Sequence, residues 1–270
     1  MKRIVLFFLV LAVASGAWWF VRRSANEAPA VSPPAPRLTL TEGRDLRDLA
    51  ELMVQKKMVT SSADLYALIG EPAHQPTVGS VPTAQFDFLR SKPRGISLEG
   101  YLFPDTYEIS LRGGASELVS TMLKNFDRKF TPAMRADAAG AGRTIHEVVT
   151  VASILEKEVR GARDRRMVAD ILWRRADAGW GLQVDASVNY VTGKSGRFTS
   201  AADRASLSAW NTYKHRGLPP GPIGNPGVAT LEAALEPEQN KFWFYLTAPD
   251  GTVHYGRTLE EHNANKKYLR

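Results

Sequence analysis

The sequence contains no cysteine. That absence removes thiol nucleophiles, disulfides, thiolate-ligated zinc, iron–sulfur clusters and a lipid anchor on cysteine. Histidine is scarce, and its five copies are scattered without metal-ligand spacing. His146-Glu147-Val148-Val149-Thr150 begins like a zinc-protease helix but carries Thr where the second His is needed. No nucleophile elbow of the Gly-x-Ser-x-Gly type, no P-loop and no dinucleotide-binding glycine fingerprint occurs. No cofactor and no metal are therefore expected.

The chain does have an ordinary globular composition, with 44% apolar and 23% charged residues over 270 positions, which excludes a disordered or collagen-like chain. Its 35 basic and 28 acidic side chains give +7, a balance that invites a nucleic-acid reading. Four of the basic residues, Lys2, Arg3, Arg22 and Arg23, flank the uncharged run Ile4 to Val21. Setting those four aside leaves 31 basic against 28 acidic, or +3. No basic block interleaved with aromatics remains outside Arg160–Arg166, so nucleic acid is not an expected partner.

A helix over Ile4–Val21 would be about 27 Å long, close to the hydrocarbon thickness of a bilayer. Residues 1–23 read as an uncleaved single-pass membrane anchor, with Trp18 and Trp19 at the interface. A cleaved signal peptide is the rival reading. Residues 24–37, with Pro29, Pro33, Pro34 and Pro36, read as an extended linker. A small unit comes next over 38–69: a strand at Leu38-Thr39-Leu40, a helix through Leu46, Leu49, Ala50, Met53 and Val54, and a second helix from Ser61-Ser62 carrying Leu65, Leu68 and Ile69. About 40 residues is marginal for independent folding, so this unit should pack on the larger C-terminal part of the chain. Residues 70–97, with four Pro and three Gly, read as a connector.

The larger block is 98–270. Leu98 to Ile109 contains a strand-like aromatic stretch, Tyr101 to Tyr107, and Ser116 to Phe130 reads as an amphipathic helix. Thr144 and Glu147 form a capping box for a helix over 144–160, and helix continues from Val168 to Arg175. Residues 217–227 hold eight Gly or Pro in eleven and read as a rigid loop. Two strands flanking Pro249-Asp250-Gly251 read as a hairpin, and Thr258 with Glu261 caps a terminal helix. The expected class is α+β.

On the 144–160 helix, stepping about 100° per residue from Ile145 puts Glu156 at about 20°, inside the stripe of Val148, Val149, Ala152, Leu155 and Val159. Glu158 falls at about 220° and off the stripe. A carboxyl in an apolar wall is costly to ionise, so the pKa of Glu156 should rise, as a general acid requires. The alternative is that Glu156 pairs with an Arg as a structural ion pair. Glu99 and Tyr101 lie beside a glycine. Gln183 and Asp185 come just after Gly179-Trp180-Gly181. Asn211 and Tyr213 precede the Pro/Gly loop. Amides and carboxylates mixed with aromatics suit sugar binding, although each alone reads first as structural.

Taken together, several segments resemble the endolytic murein transglycosylase family, also described as YceG-like. They are Leu98-Glu-Gly-Tyr-Leu-Phe-Pro-Asp-Thr-Tyr107, Ala152-Ser-Ile-Leu-Glu-Lys-Glu158, Leu182-Gln-Val-Asp185, Asn211-Thr-Tyr213, Gly217-Leu-Pro-Pro-Gly-Pro-Ile223, Asn225-Pro-Gly227 and Glu261-His-Asn263. Thr41-Glu-Gly43 and the helix after it resemble the family's LysM-like unit, here cut down. The resemblance implies a membrane-anchored lytic transglycosylase with a YceG-like catalytic domain over 98–270, after a truncated LysM-like unit and connector over 38–97. It implies cleavage of the MurNAc–GlcNAc link of peptidoglycan strands to leave a 1,6-anhydro end, without water. It also implies Glu156 as the catalytic carboxyl; Glu99, Tyr101, Gln183, Asp185, Asn211 and Tyr213 are the candidate substrate-binding groups or supports for it. The expected location is the cytoplasmic membrane, single-pass, with the catalytic part on the cell-wall side and cell-wall synthesis proteins as partners. A non-catalytic glycan-binding scaffold is the competing reading. One departure is Asp185-Ala-Ser187, where the family often has Asp-Pro-Thr.

Overall fold

Strand β1 (Arg37–Leu40) pairs antiparallel with β2 (Asp105–Glu108), in register from Arg37 opposite Glu108 to Leu40 opposite Asp105. Alternation decides its facing: Leu38 and Leu40 are buried, Arg37 and Thr39 exposed. The computed structural model describes residues 36–109, 113–194 and 199–269. The expected anchor over 1–23 and most of the linker lie outside these residues. Among the described residues, no helix is long and apolar enough to cross a membrane.

Helix α1 (Leu46–Gln55) starts at a capping box: Asp45 accepts from the Asp48 N–H, and Asp48 returns the bond to the Asp45 N–H. Helix α2 (Ser62–Ile69) begins with the same device on Ser61 and Asp64. Leu46, Leu49, Ala50 and Met53 of α1 and Leu65 and Ile69 of α2 enter the core. Because β1 takes its partner from 105–108, residues 38–69 share a core with the larger block. The strand-like stretch expected at Tyr101–Tyr107 becomes strand only from Asp105, in β2. Its first half is a series of turns that the Asn225 side chain holds in place.

Helices α3 (Gly114–Lys129) and α4 (Pro132–Gly140) come next, then α5 (Ile145–Glu158) with the capping box of Thr144 and Glu147 in place. Every residue from Val148 to Leu155 is buried, because α5 lies among α4, α6 (Ala162–Asp177), α7 (Asp185–Thr192) and α9 (Val228–Leu235). Helix is interrupted at Val159, whose extended backbone ends α5 at Glu158, and resumes after Gly161. Short α8 (Ala201–Arg204) leads into an irregular stretch ending in the Pro/Gly loop. β3 (Phe244–Thr247) and β4 (Val253–Gly256) form the expected hairpin, with Gly251 in the left-handed region at its turn. Beyond the hairpin lies helix α10 (Leu259–Asn265), with Thr258 accepting from the Glu261 N–H. Among the described residues, helices with two separate two-stranded antiparallel sheets make a mixed α/β architecture of the α+β kind. Helices α4, α7, α8 and α9 go beyond the elements expected from sequence. Each is short, nine residues or fewer, which leaves too few turns to show a periodicity.

Candidate active site

The last turn of α5 carries two carboxyls with different surroundings. The Glu156 side chain is only 8% exposed, so the wheel is right about its burial. The wall around it is not apolar. Arg165 reaches Oε1 at 3.2 Å, and Oε2 accepts from the Gly227 N–H at 3.0 Å and from the Thr230 hydroxyl at 2.7 Å. Gly227 is the residue before α9, and its N–H would otherwise lack an intrahelical partner. Glu156 therefore takes from a distance the N-cap N–H that an N3 carboxylate accepts in a capping box, where α9 has Thr230. The turn at Gly43 covers the carboxylate, since a Cβ on Gly43 would sit 3.4 Å from Glu156 Cγ. The desolvation expected of Glu156 meets an ion pair and two hydrogen-bond donors.

Glu158, one residue before the break, is half-buried in the angle between α5, α7 and the β3–β4 hairpin. Burial pushes its carboxyl up to about 7, with the negative charge of Asp185 adding to the rise. The Ala186 N–H and the Tyr245 hydroxyl, 3.5 Å from Oε2, act in the opposite direction. The Glu158 carbonyl accepts from Thr247 Oγ1 at 3.0 Å, which fixes the hairpin to this end of α5. Near neutral pH such a carboxyl holds its proton about half the time, the condition for an acid that must later act as a base. The wheel misses it because α5 is buried nearly all round, so leaving one stripe does not mean reaching solvent. The signal available in the sequence is the Glu-Lys-Glu run at the helix end.

Asp185 opens α7 and is partly exposed. Its Oδ1 accepts from Tyr213 Oη at 2.8 Å and from Thr199 Oγ1, with Arg204 at 4.0 Å. The Arg204 guanidinium also lies 5.5 Å from the Tyr213 ring centroid. Tyr213 is half-buried, and burial beside Asp185 raises its hydroxyl pKa. Neighbouring Thr212 ties the two segments together: its Oγ1 accepts from the Val184 N–H at 3.0 Å, and its carbonyl from the Gln183 N–H at 3.2 Å. Gln183 is exposed and holds φ +54°, a conformation that non-glycine residues rarely adopt. Asp185 thus lies beside Glu158, and Tyr213 is bonded to it.

The other expected groups are inside. Asn211 is fully buried; its amide donates to the Arg204 and Ser206 carbonyls, and its Oδ1 accepts from the Tyr213 N–H. It shapes the loop that presents Tyr213. Tyr101 is fully buried, with its hydroxyl 2.9 Å from His146 Nδ1. Since His146 Nε2 lies 2.8 Å from the Pro220 carbonyl, Nε2 donates and Nδ1 accepts from Tyr101. Burial lowers the His146 pKa, which fits a neutral ring. Glu99 is 1% exposed and its carboxyl is pushed up to about 8, first by burial and then by Asp45. It faces three donors: the Leu46 N–H, the Tyr190 hydroxyl and Asn225 Nδ2, each at 3.1 Å.

Asn225, which sequence reasoning passes over, is the hub. Its Oδ1 accepts from Gly100 and Leu102 at 3.0 and 3.1 Å, which holds the turns before β2. Its Nδ2 donates to the Arg44 carbonyl and to Glu99, and its main chain bonds to Gly43 and Arg44. All its amide capacity is used at a site with no solvent access. No cluster of His, Asp or Glu with metal-binding geometry occurs among the described residues.

The sequence profile of the YceG-like family matches residues 21–268. An endolytic murein transglycosylase of Bacillus subtilis (strain 168) is 30% identical over 240 residues, covering 86% of this chain and 65% of the relative. One from Streptococcus pneumoniae serotype 2 is 29% identical over 246 residues, covering 86% of this chain and 44% of the relative. The chain thus spans less than two thirds of the length of either. A crystal structure of a yceG-like protein from Listeria monocytogenes superposes with a TM-score of 0.71 at 31% identity, covering 86% of this chain and 76% of that one. With its profile matched over nearly the whole length and its fold shared at this identity, the chain belongs to the YceG-like family.

Proposed function

We propose that this protein is an endolytic lytic transglycosylase of peptidoglycan, with Glu158 rather than Glu156 as its acid and base. The observation that carries this is the Glu158 carboxyl, pushed up to about 7 beside Asp185, Tyr213 and Tyr245. Both oxygens of Glu156 are engaged in capping α9 and pairing with Arg165. Those partners would be lost whenever that carboxyl approached a sugar.

In this reading protonated Glu158 donates to the glycosidic oxygen as the C1–O bond of MurNAc breaks. The resulting carboxylate, steadied by the Ala186 N–H and the Tyr245 hydroxyl, accepts the proton of the C6 hydroxyl. That oxygen closes on C1, giving the 1,6-anhydro end and restoring the acid. Glycoside hydrolysis ordinarily uses two carboxyls to manage water or a covalent intermediate. An internal nucleophile removes that requirement and gains from proximity. Asp185 keeps the Glu158 proton in place, and Tyr213, bonded to Asp185, borders the same region. Residues 38–69 act as a brace for the site through Asn225 and Glu99 rather than as a separate glycan binder. The run Ile4–Val21 would tether the enzyme to the membrane, facing the cell wall.

The test is product analysis by mass spectrometry on uncrosslinked glycan strands. Wild type is expected to release anhydro ends, Glu158→Gln none, and Glu156→Gln a reduced but measurable amount, since Gln still accepts from Gly227 and Thr230. Full activity in folded Glu158→Gln would overturn the assignment. Reducing ends would make the protein a hydrolase, and no cleavage with retained glycan binding would favour the scaffold reading.

A further inference from the structure

Trp180 is 45% exposed, although the other large aromatics around it are half-buried or buried. It sits in the turn after α6, one residue past the left-handed Gly179. Its main chain is fixed on both sides: its N–H donates to the Arg175 carbonyl at 2.8 Å, and its carbonyl accepts from the Gly217 N–H at 3.0 Å. Its ring rests on Trp243, with centroids 4.9 Å apart and planes tilted by 40°, and Phe244 lies 6.3 Å away. Trp243 is backed by the Arg174 guanidinium at 4.8 Å. Arg175 donates to both the Trp243 and the Leu182 carbonyls, which locks the hairpin to the segment leading into Gln183.

The exposed indole is therefore braced from behind, and little ordering cost remains for a ligand that covers it. It also has a direction. Trp243 precedes Tyr245 by two residues, about 7 Å along an extended chain, and Tyr245 reaches Glu158. An aromatic ledge thus runs from Trp180 through Trp243 toward the candidate acid. A pyranose ring offers what this surface lacks: an apolar C–H face to lie on the exposed indole, with its hydroxyl and acetamido edges left toward solvent.

We propose that Trp180 and Trp243 form a stacking subsite for a hexosamine ring of the glycan strand, one or two sugars from the bond held at Glu158. This deepens the transglycosylase reading and rests on it. The ledge holds the strand beside the acid and lets the enzyme engage long glycan.

The test compares steady-state cleavage of uncrosslinked glycan strands by wild type, Trp180→Ala, Trp180→Leu and Trp180→Phe. The exposed Val78, in the connector, serves as a control in Val78→Ala. The Ala and Leu variants are expected to raise KM about tenfold, the loss typical of truncating a well-packed aromatic anchor, with kcat within threefold. Phe should restore most of the affinity because it keeps a ring, and Val78→Ala should match wild type. Leu keeps the apolar bulk, so the comparison of Leu with Phe holds even where Ala impairs folding. Wild-type KM in Trp180→Leu would overturn the subsite while leaving the transglycosylase reading intact. If wild type releases no anhydro product, that reading falls. Calorimetry of glycan strands with Glu158→Gln and Glu158→Gln/Trp180→Leu then decides the ledge: about tenfold weaker binding in the double variant supports it, and equal or absent binding refutes it.

Discussion

Replacing Glu158 by Gln should make the protein more stable while removing its activity, and the gain should depend on pH. The Glu158 carboxyl sits at about 7 instead of its ordinary 4.5. At about 1.4 kcal/mol per pH unit, ionising it in the folded protein costs about 3 kcal/mol more than in the unfolded chain. Solvent reaching its partly exposed tip screens some of this, which leaves about 1–3 kcal/mol. The sign is set by where the proton is held. Below about pH 4.5 both states are protonated and the cost is absent. Between 4.5 and 7 the folded state keeps a proton that the unfolded chain has released, and stability falls as pH rises. Above 7 the full cost is present. Gln carries no charge to desolvate and still accepts from the Ala186 N–H. Denaturant unfolding at pH 4 and pH 8 should therefore give matching stabilities at the lower pH and a variant ahead by about 1–3 kcal/mol at the higher. Glu99 titrates in both proteins and cancels from the difference. A gap independent of pH, or a variant weaker at pH 8, would refute this account of Glu158.

The same carboxyl should set the alkaline limb of the rate profile. The cleavage kcat/KM should fall about tenfold per pH unit above about pH 7, and a flat profile to pH 9 would remove Glu158 as the acid. Glu99→Gln should behave oppositely to Glu158→Gln: it places an amide NH2 among the donors of Leu46, Tyr190 and Asn225, at a cost of about 1–3 kcal/mol by thermal unfolding. An unchanged melting temperature would show that the pocket rearranges to accept it.

Local chemistry is legible in the sequence where it is written in adjacent residues. The Thr144–Glu147 box, the Ser61 start and the Pro-Asp-Gly hairpin all depend on neighbours within a few positions, and all are present. The surroundings of the two glutamates are not legible, because they depend on residues far along the chain. Arg165 pairs with Glu156 and Gly227 and Thr230 donate to it, while the Asp185 segment and the hairpin enclose Glu158. A wheel drawn for one buried helix ranks faces by their own residues and knows nothing of what covers them. Asn225 escapes notice for a related reason: within Asn-Pro-Gly it reads as turn chemistry, and its four side-chain bonds go to Arg44 and to residues 99–102. Gln183 and Trp180 are marked by their place near Gly179 and Gly181, but positive φ and bracing from behind are not written in residue type.

The pairing of β1 with β2 and the grip of Asn225 on Arg44 also order events in time. Arg37 meets a strand partner 71 residues ahead, and Arg44 meets its clamp only when residue 225 has been made, 181 residues on. Closing loops of that size is entropically slow. The first described segment to leave the ribosome is therefore among the last to settle, and a nascent chain stopped before Asn225 should leave the Gly43 amide open to hydrogen exchange. Synthesis must pass the candidate acid and the Pro/Gly loop before the turn at Gly43 is secured over Glu156.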